Sequence, residues 1–105
     1  MSGATVQPAI EITTFKLADG LQLADFIAAN ADVDPWLRRQ RGFVSRMLLQ
    51  KEDGTVVDLV VWERVADAKA STRRLMRELA DSPVHAAIDQ GTVCWSVSPI
   101  AHLVP

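Results

Sequence analysis

Three tryptophans, two histidines and one cysteine stand out in this chain of 105 residues, which has no tyrosine. Trp62 closes the β-branched run Val56 to Val61. An indole at a strand end can stack on a flat ring and donate one hydrogen bond; the alternative is a core tryptophan. Trp36 follows Asp34-Pro35, where a short helix would place it at the mouth of a cleft. Trp95, in the middle of an apolar run, reads as core or subunit interface. His85, between Val84 and Ala86, has an unperturbed pKa near 6.5, suited to a general base that takes a phenolic proton; a half-buried structural histidine is the other reading. Asn30 ends a helical stripe, where its amide could orient a phenol or an oxygen intermediate or bond to the helix backbone.

Other groups are less promising. His85 and His102 have no second ligand at metal-binding spacing, so no zinc site is expected. Cys94 has no predicted helix N-terminus or base beside it and reads as a small buried apolar residue. Being alone, it also excludes an intrachain disulfide. Glu11 and Asp58 fall inside strands, too isolated in sequence to form an acid–base pair. Ser71 and Ser98 lack a nearby histidine, and no glycine-rich phosphate loop is present.

The charge balance, 11 basic against 13 acidic residues, narrows the partners. Arg38, Arg39 and Arg41, and then Arg73, Arg74 and Arg77, form small basic clusters interrupted by acids; they read as solvated helix faces. Nucleic acid is not an expected partner, because duplex binding needs a basic surface that displaces counterions. No apolar run reaches the roughly 20 residues that cross a bilayer. Residues 1–8 lack the basic and apolar regions of a signal peptide. A cytoplasmic protein without a membrane partner is the expectation. With 49% apolar and 23% charged residues the chain has the composition of one globular domain.

The elements that must position these groups follow from periodicity. Residues 1–8 are expected to be a flexible, small and polar N-terminus, and residues 9–17 read as a strand. Leu23, Phe26, Ile27 and Asn30 recur at helical spacing, predicting a helix over about 21–31. Asp34-Pro35 can start a second, short one over about 35–41. Residues 43–51 and 56–64 are strands around the hairpin signal Asp53-Gly54. A helix is predicted over 67–80, a short one over about 83–89 ended by Gly91, a strand over 92–98 and a tail over 99–105. Strand, helix, strand, strand, helix, strand is the split βαβ pattern of ferredoxin-like α+β domains, with an antiparallel four-stranded sheet. Residues 9–98 form that domain. Val57, Leu59 and Val61 point one way and Val56, Val60 and Trp62 the other, so both faces of the sheet are apolar. Helices cover one face. A second copy would cover the other and close a dimeric α+β barrel.

Gly42-Phe43-Val44-Ser45 at the start of strand two, Val60-Val61-Trp62-Glu63 at the end of strand three and Ala66-Asp67-Ala68 opening the next helix carry a resemblance. Over residues 9–98 the chain resembles the antibiotic-biosynthesis-monooxygenase group of the dimeric α+β barrel superfamily. That group includes cofactor-independent oxygenases that convert polycyclic phenols to quinones, and heme-degrading enzymes. The heme branch uses an asparagine in strand one, the strand-three tryptophan and a histidine about ten residues later; here those positions hold Thr13, Trp62 and Thr72. Thr72 is no axial iron ligand, so neither heme nor flavin nor metal is expected. The resemblance implies a homodimer that oxidises a flat aromatic or polyketide-like molecule. Trp62, Asn30 and His85 are its candidate catalytic residues, and Trp36, Thr13 and Phe15 contact the substrate. A non-catalytic ligand-binding protein and a dimerisation module are the alternatives on the same scaffold.

Overall fold

Alternating β-branched and aromatic residues pleat Ala9–Leu17 into β1 of the computed structural model, which describes residues 7–105. Two short helices follow, α1 (Leu23–Ala29) and α2 (Val33–Arg38). The hairpin of β2 (Phe43–Gln50) and β3 (Val56–Trp62) leads into α3 (Val65–Glu78). A single 3-10 turn, His85–Ala87, precedes β4 (Ile88–Pro99). The sheet order is β2-β3-β1-β4 and every pairing is antiparallel, as the ferredoxin-like pattern requires.

Two expectations shift at the end of the chain. The predicted helix over 83–89 is only the 3-10 turn, because Ile88 already pairs with Leu17 and Asp89 with Lys16. Gly91 therefore lies within a strand rather than closing a helix. The predicted N-terminal segment falls mostly outside the described residues; Gln7 and Pro8 are tied to Ile100 through a side-chain and a backbone hydrogen bond.

The helices pack on one face of the sheet. Phe15, Val56, Val60 and Trp62 point to that side and meet Phe26, Val33, Trp36, Leu37 and Ala68 in a continuous core. Phe15 and Phe26 pack with their ring centroids 5.0 Å apart, which fixes α1 over β1. On the opposite face, Ile10 and Ile12 of β1 lie beside Val61 and Leu59 of β3, with Met47 of β2 next to Leu59. No element of this chain covers that face among the described residues, and Met47 is 61% exposed.

Two bulges break the alternation. In β2, Phe43 pairs with Trp62 but Ser45 pairs with Val61, so Val44 is an extra residue. In β4, Asp89 pairs with Lys16 and Cys94 with Thr14, leaving four residues opposite Phe15. Thr92 pins this excursion: its hydroxyl accepts from the Lys16 N–H at 2.8 Å and donates to the Asp89 carbonyl at 2.6 Å. Each bulge reverses which face the following residues occupy.

Candidate functional site

Between the sheet and the helices lies a cavity of about 370 Å³. Its floor is made by Glu11, Thr13 and Phe15 of β1 and by Asp58 and Val60 of β3. Phe26, Leu37, Leu75 and Val84 supply apolar wall. The volume falls within the ~300–1,000 Å³ of small-molecule sites, which are mostly apolar with a few placed polar groups. Two polar clusters and one histidine supply those groups here.

Glu11 organises the first cluster. Its Oε1 accepts the Trp62 indole N–H at 2.9 Å. Its Oε2 accepts the Trp95 indole N–H at 2.7 Å and the Thr72 hydroxyl at 3.0 Å. One carboxylate thus orients two indoles and ties β1 to β3, β4 and α3. Bonds from N–H and O–H groups to an ionised carboxylate are stronger than neutral ones.

Arg46 organises the second. Its Nε and Nη2 donate to the two oxygens of Asp58 at 3.0 and 2.7 Å. Its Nη1 donates to Asn30 Oδ1 and Asp34 Oδ1, both at 2.8 Å. Burial opposes the arginine's charge, but the bonds and charges of Asp58 and then Asp34 outweigh it and hold the pKa above its ordinary value. Arg46 also borders a second hollow of about 390 Å³ beside β2, lined by Ile27, Asp34, Arg38, Phe43 and Leu48. The arginine lines both spaces, and Asp34 lines the second.

His85 lines the cavity from the 3-10 turn. Its Nε2 lies 2.8 Å from the Leu79 carbonyl. A carbonyl only accepts, so Nε2 carries the hydrogen and the lone pair of the neutral ring sits on Nδ1.

Of the residues singled out in the sequence, Asn30, His85, Thr13 and Phe15 line this cavity. Asn30 is 1% exposed and ends α1; its amide donates to the Phe26 carbonyl at 2.7 Å while its oxygen receives Arg46, so it combines the backbone bond and the orienting role. The two expected aromatic contacts need correction. Trp62 has no exposed surface, stands edge-on to Phe43 at 5.8 Å and reaches the cavity only through Glu11. Its bulk is spent on core packing with Phe43 and Ala68. Trp36 is buried too, with its N–H donated to Glu78 across the α2–α3 contact, and it is not part of the cavity lining. Trp95, read as core or interface, is not core: it lines the cavity and is 45% exposed. Cys94 beside it, read as buried, is exposed, because the excursion in β4 turns it to the face away from the helices.

Arg46, Glu11, Asp58 and Asp34 were missed as site residues. Glu11 and Asp58 stand at apolar-flanked strand positions, which is the signal that could have found them; Arg46 gave none, because the Val44 bulge turns it inward. Among the described residues no group of three His, Cys, Asp or Glu could hold a metal ion, and no helix is long and apolar enough to cross a membrane.

No protein-family model matches the sequence, and no curated protein sequence matches it. Solved structures do. A cofactor-independent oxygenase, SnoaB from Streptomyces nogalater, superposes with a TM-score of 0.72 at 18% identity, covering 94% of this chain and 98% of its own. The fold is that of the antibiotic-biosynthesis monooxygenases. A monooxygenase from the ActVA-Orf6 gene of Streptomyces coelicolor, in complex with the ligand nanaomycin D, superposes with a TM-score of 0.67 at 19% identity, over 94% of this chain and 92% of that one. A conserved protein from Methanosarcina mazei Go1 superposes at 7% identity with a TM-score of 0.68, over 90% of this chain and 93% of that one. At these identities the likeness carries the architecture. Function has to be argued from the cavity itself.

Proposed function

We propose that this chain is a cofactor-independent monooxygenase that oxidises a flat polycyclic phenol to a quinone, and that it works as a homodimer. The observation that carries the reading is the apolar cavity with His85 on its wall, the ring held in one tautomer by the Leu79 carbonyl. An open cavity argues against a purely structural dimerisation module. Its convergent polar groups favour an enzyme over an inert apolar binding site. The shared fold of SnoaB and ActVA-Orf6 supports the reaction class.

The chemistry asks little of the protein beyond a base, a dry cavity and a fixed substrate. Nδ1 of His85 takes the phenolic proton. The phenolate, rich in electrons, passes one to dioxygen, and the resulting radical pair combines at a ring carbon to form a C–O bond. Loss of that carbon's proton breaks the O–O bond. One oxygen atom stays as the new quinone carbonyl, and the other leaves as water with the two protons. Phenol plus dioxygen gives quinone plus water, with four electrons moved from ring to oxygen. Apolar walls from Phe15, Phe26 and Leu75 keep bulk water from the intermediates. The Arg46–Asn30 bond holds the asparagine amide at the cavity wall, where one Nδ2 hydrogen remains for the substrate oxygen.

Oxygen uptake and quinone absorbance with a panel of polycyclic phenols test this. Turnover is expected without added flavin, heme or metal. His85→Gln should lower kcat by about 100-fold or more and leave substrate affinity nearly unchanged. A wild-type protein that binds the phenols but consumes no oxygen would replace the enzyme with a ligand-binding protein using the same cavity.

A further inference from the structure

Large aromatic residues that are half exposed need a reason, and Trp95 has an unusual set of neighbours. It lines the cavity, is 45% exposed, and its N–H is held 2.7 Å from Glu11 Oε2. Val93, 38% exposed, and Met76, 62% exposed, line the same cavity. These three are the outward-facing part of the lining, so the cavity opens between α3 and β4. The proposed sheet-to-sheet dimer does not cover Trp95. Thr14 and Ile12, on the uncovered face, pair with Cys94 and Ser96, whereas Trp95 pairs with Thr13 on the helix side.

Length adds a second argument. The 3-10 turn His85–Ala87 leads into Ile88, which pairs with Leu17, and Trp95 pairs with Thr13. Leu17 and Thr13 are four steps apart on β1, about 13 Å at 3.3 Å per residue. The turn that carries His85 and the strand position of Trp95 thus lie opposite well-separated points of β1, and the cavity lining includes both residues. The indole cannot swing away to fill the space, because Glu11 is itself fixed by Trp62 and Thr72. A side chain locked by hydrogen bonds loses little entropy when a ligand stacks on it.

We propose that Trp95 is a stacking platform at the cavity mouth, held in orientation by Glu11 and flanked by Val93 and Met76, and that it binds the distal, non-reacting rings of a polycyclic substrate. This rests on the reading of the cavity as a phenol site and adds a subsite that selects for ring number. Thr13, opposite Trp95 in the register, is short enough to leave the indole's neighbourhood open. Met76 is unbranched and adapts to rings of different outline.

Calorimetric titration under nitrogen, with a one-ring phenol and a linear multi-ring phenol, tests the platform without any turnover. Trp95→Ala should weaken the multi-ring ligand about tenfold and leave the one-ring ligand within about twofold. Trp95→Phe, which keeps a ring but loses the bond to Glu11, should fall between, and its circular dichroism should match the wild type. Equal weakening of both ligands by Trp95→Ala, or of neither, overturns the platform. So does a wild type that binds no multi-ring phenol. The two readings fail separately: ring-number selectivity lost by Trp95→Ala in a protein that consumes no oxygen sinks the enzyme but keeps the platform, while oxygen uptake with unaltered selectivity does the reverse.

Discussion

Arg46 keeps a full charge inside the protein because four oxygens receive it: both of Asp58 and one each of Asn30 and Asp34. Its side chain is 11% exposed and that of Asp58 15%, whereas Asp34 is 49% exposed. The two ion pairs are therefore unequal. Arg46→Met leaves the Asp58 carboxylate buried without a partner and should cost about 3–5 kcal/mol. The double variant Arg46→Met with Asp58→Leu should recover most of that. Asp34→Ala removes a half-solvated partner and should cost less than about 1 kcal/mol. Urea denaturation of the wild type and the three variants ranks the losses, and equal losses from Asp34→Ala and Arg46→Met would overturn the ranking. Asp53, at the exposed hairpin tip, shows the same principle in water. Its bond from the Thr55 N–H at 2.9 Å, helped by the Thr55 hydroxyl, holds its carboxyl below the usual aspartate range. The stabilisation from a lowered carboxylate is complete above the unfolded value and disappears as pH falls through the lower folded one. Carbon-detected NMR titration should find the Asp53 midpoint below that of an ordinary aspartate, and Thr55→Val should move it upward.

At the level of elements, strand and helix positions follow from residue type, but the face that each residue occupies depends on the bulges. Strict alternation from Phe43 would put Ser45 and Met47 on the helix side and Arg46 outside. Val44 adds one residue, so Arg46 and Leu48 turn inward while Met47 and Leu49 turn out. Strict alternation from Ile88 would send Cys94 into the cavity; the excursion held by Thr92 sends Trp95 there instead. This is why β1, the Asp53-Gly54 hairpin and the inward row Val56, Val60 and Trp62 were legible in the sequence, whereas Arg46 and Trp95 were not. Polar groups also hid from a linear reading because Glu11, Trp62, Thr72 and Trp95 come from four elements and meet only in the fold. Deleting Val44 should reverse every later face of β2, exposing Arg46 to the wrong side and abolishing cooperative unfolding. Val44→Thr, which keeps the count, should change stability by no more than about 0.5 kcal/mol. The helix start is equally specific. Gly42 has a φ of +82°, and a Cβ there would lie 2.2 Å from Asp67 Oδ2; Gly54 has a φ of +90° but open space around it. Gly54→Ala should cost only the left-handed backbone, about 1–2 kcal/mol, and Gly42→Ala distinctly more, as thermal melts of the pair would show.

The whole molecule has one covered face and one bare one. Ile10, Ile12, Leu59 and Val61 on the bare side belong to central strands, and Met47 and Leu49 on β2 extend the patch. Three strands about 4.8 Å apart, β1, β3 and β2, make an apolar strip roughly 14 Å wide, bordered by Cys94, Ser96 and Ser98 of β4, and a contiguous apolar patch of this kind marks an interaction surface. The radius of gyration, 14.6 Å, also exceeds the ~13 Å of a compact 100-residue domain, with the extended tail after Pro99 adding to it. A second copy of the same face is self-complementary, and closing the two sheets would complete the proposed barrel. The cavity is on the other side, so its walls do not depend on that closure. Light scattering should find the wild type at twice its 11.5 kDa chain mass at micromolar concentration. Its melting temperature should rise with protein concentration, because association stabilises only the folded state. Placing two lysines on the face, Met47→Lys with Leu59→Lys, should give a monomer whose melting temperature is independent of concentration. That monomer should still bind the phenols that the wild type binds, though it melts earlier. A wild type that scatters as a single chain would remove the barrel and leave the bare face without an occupant.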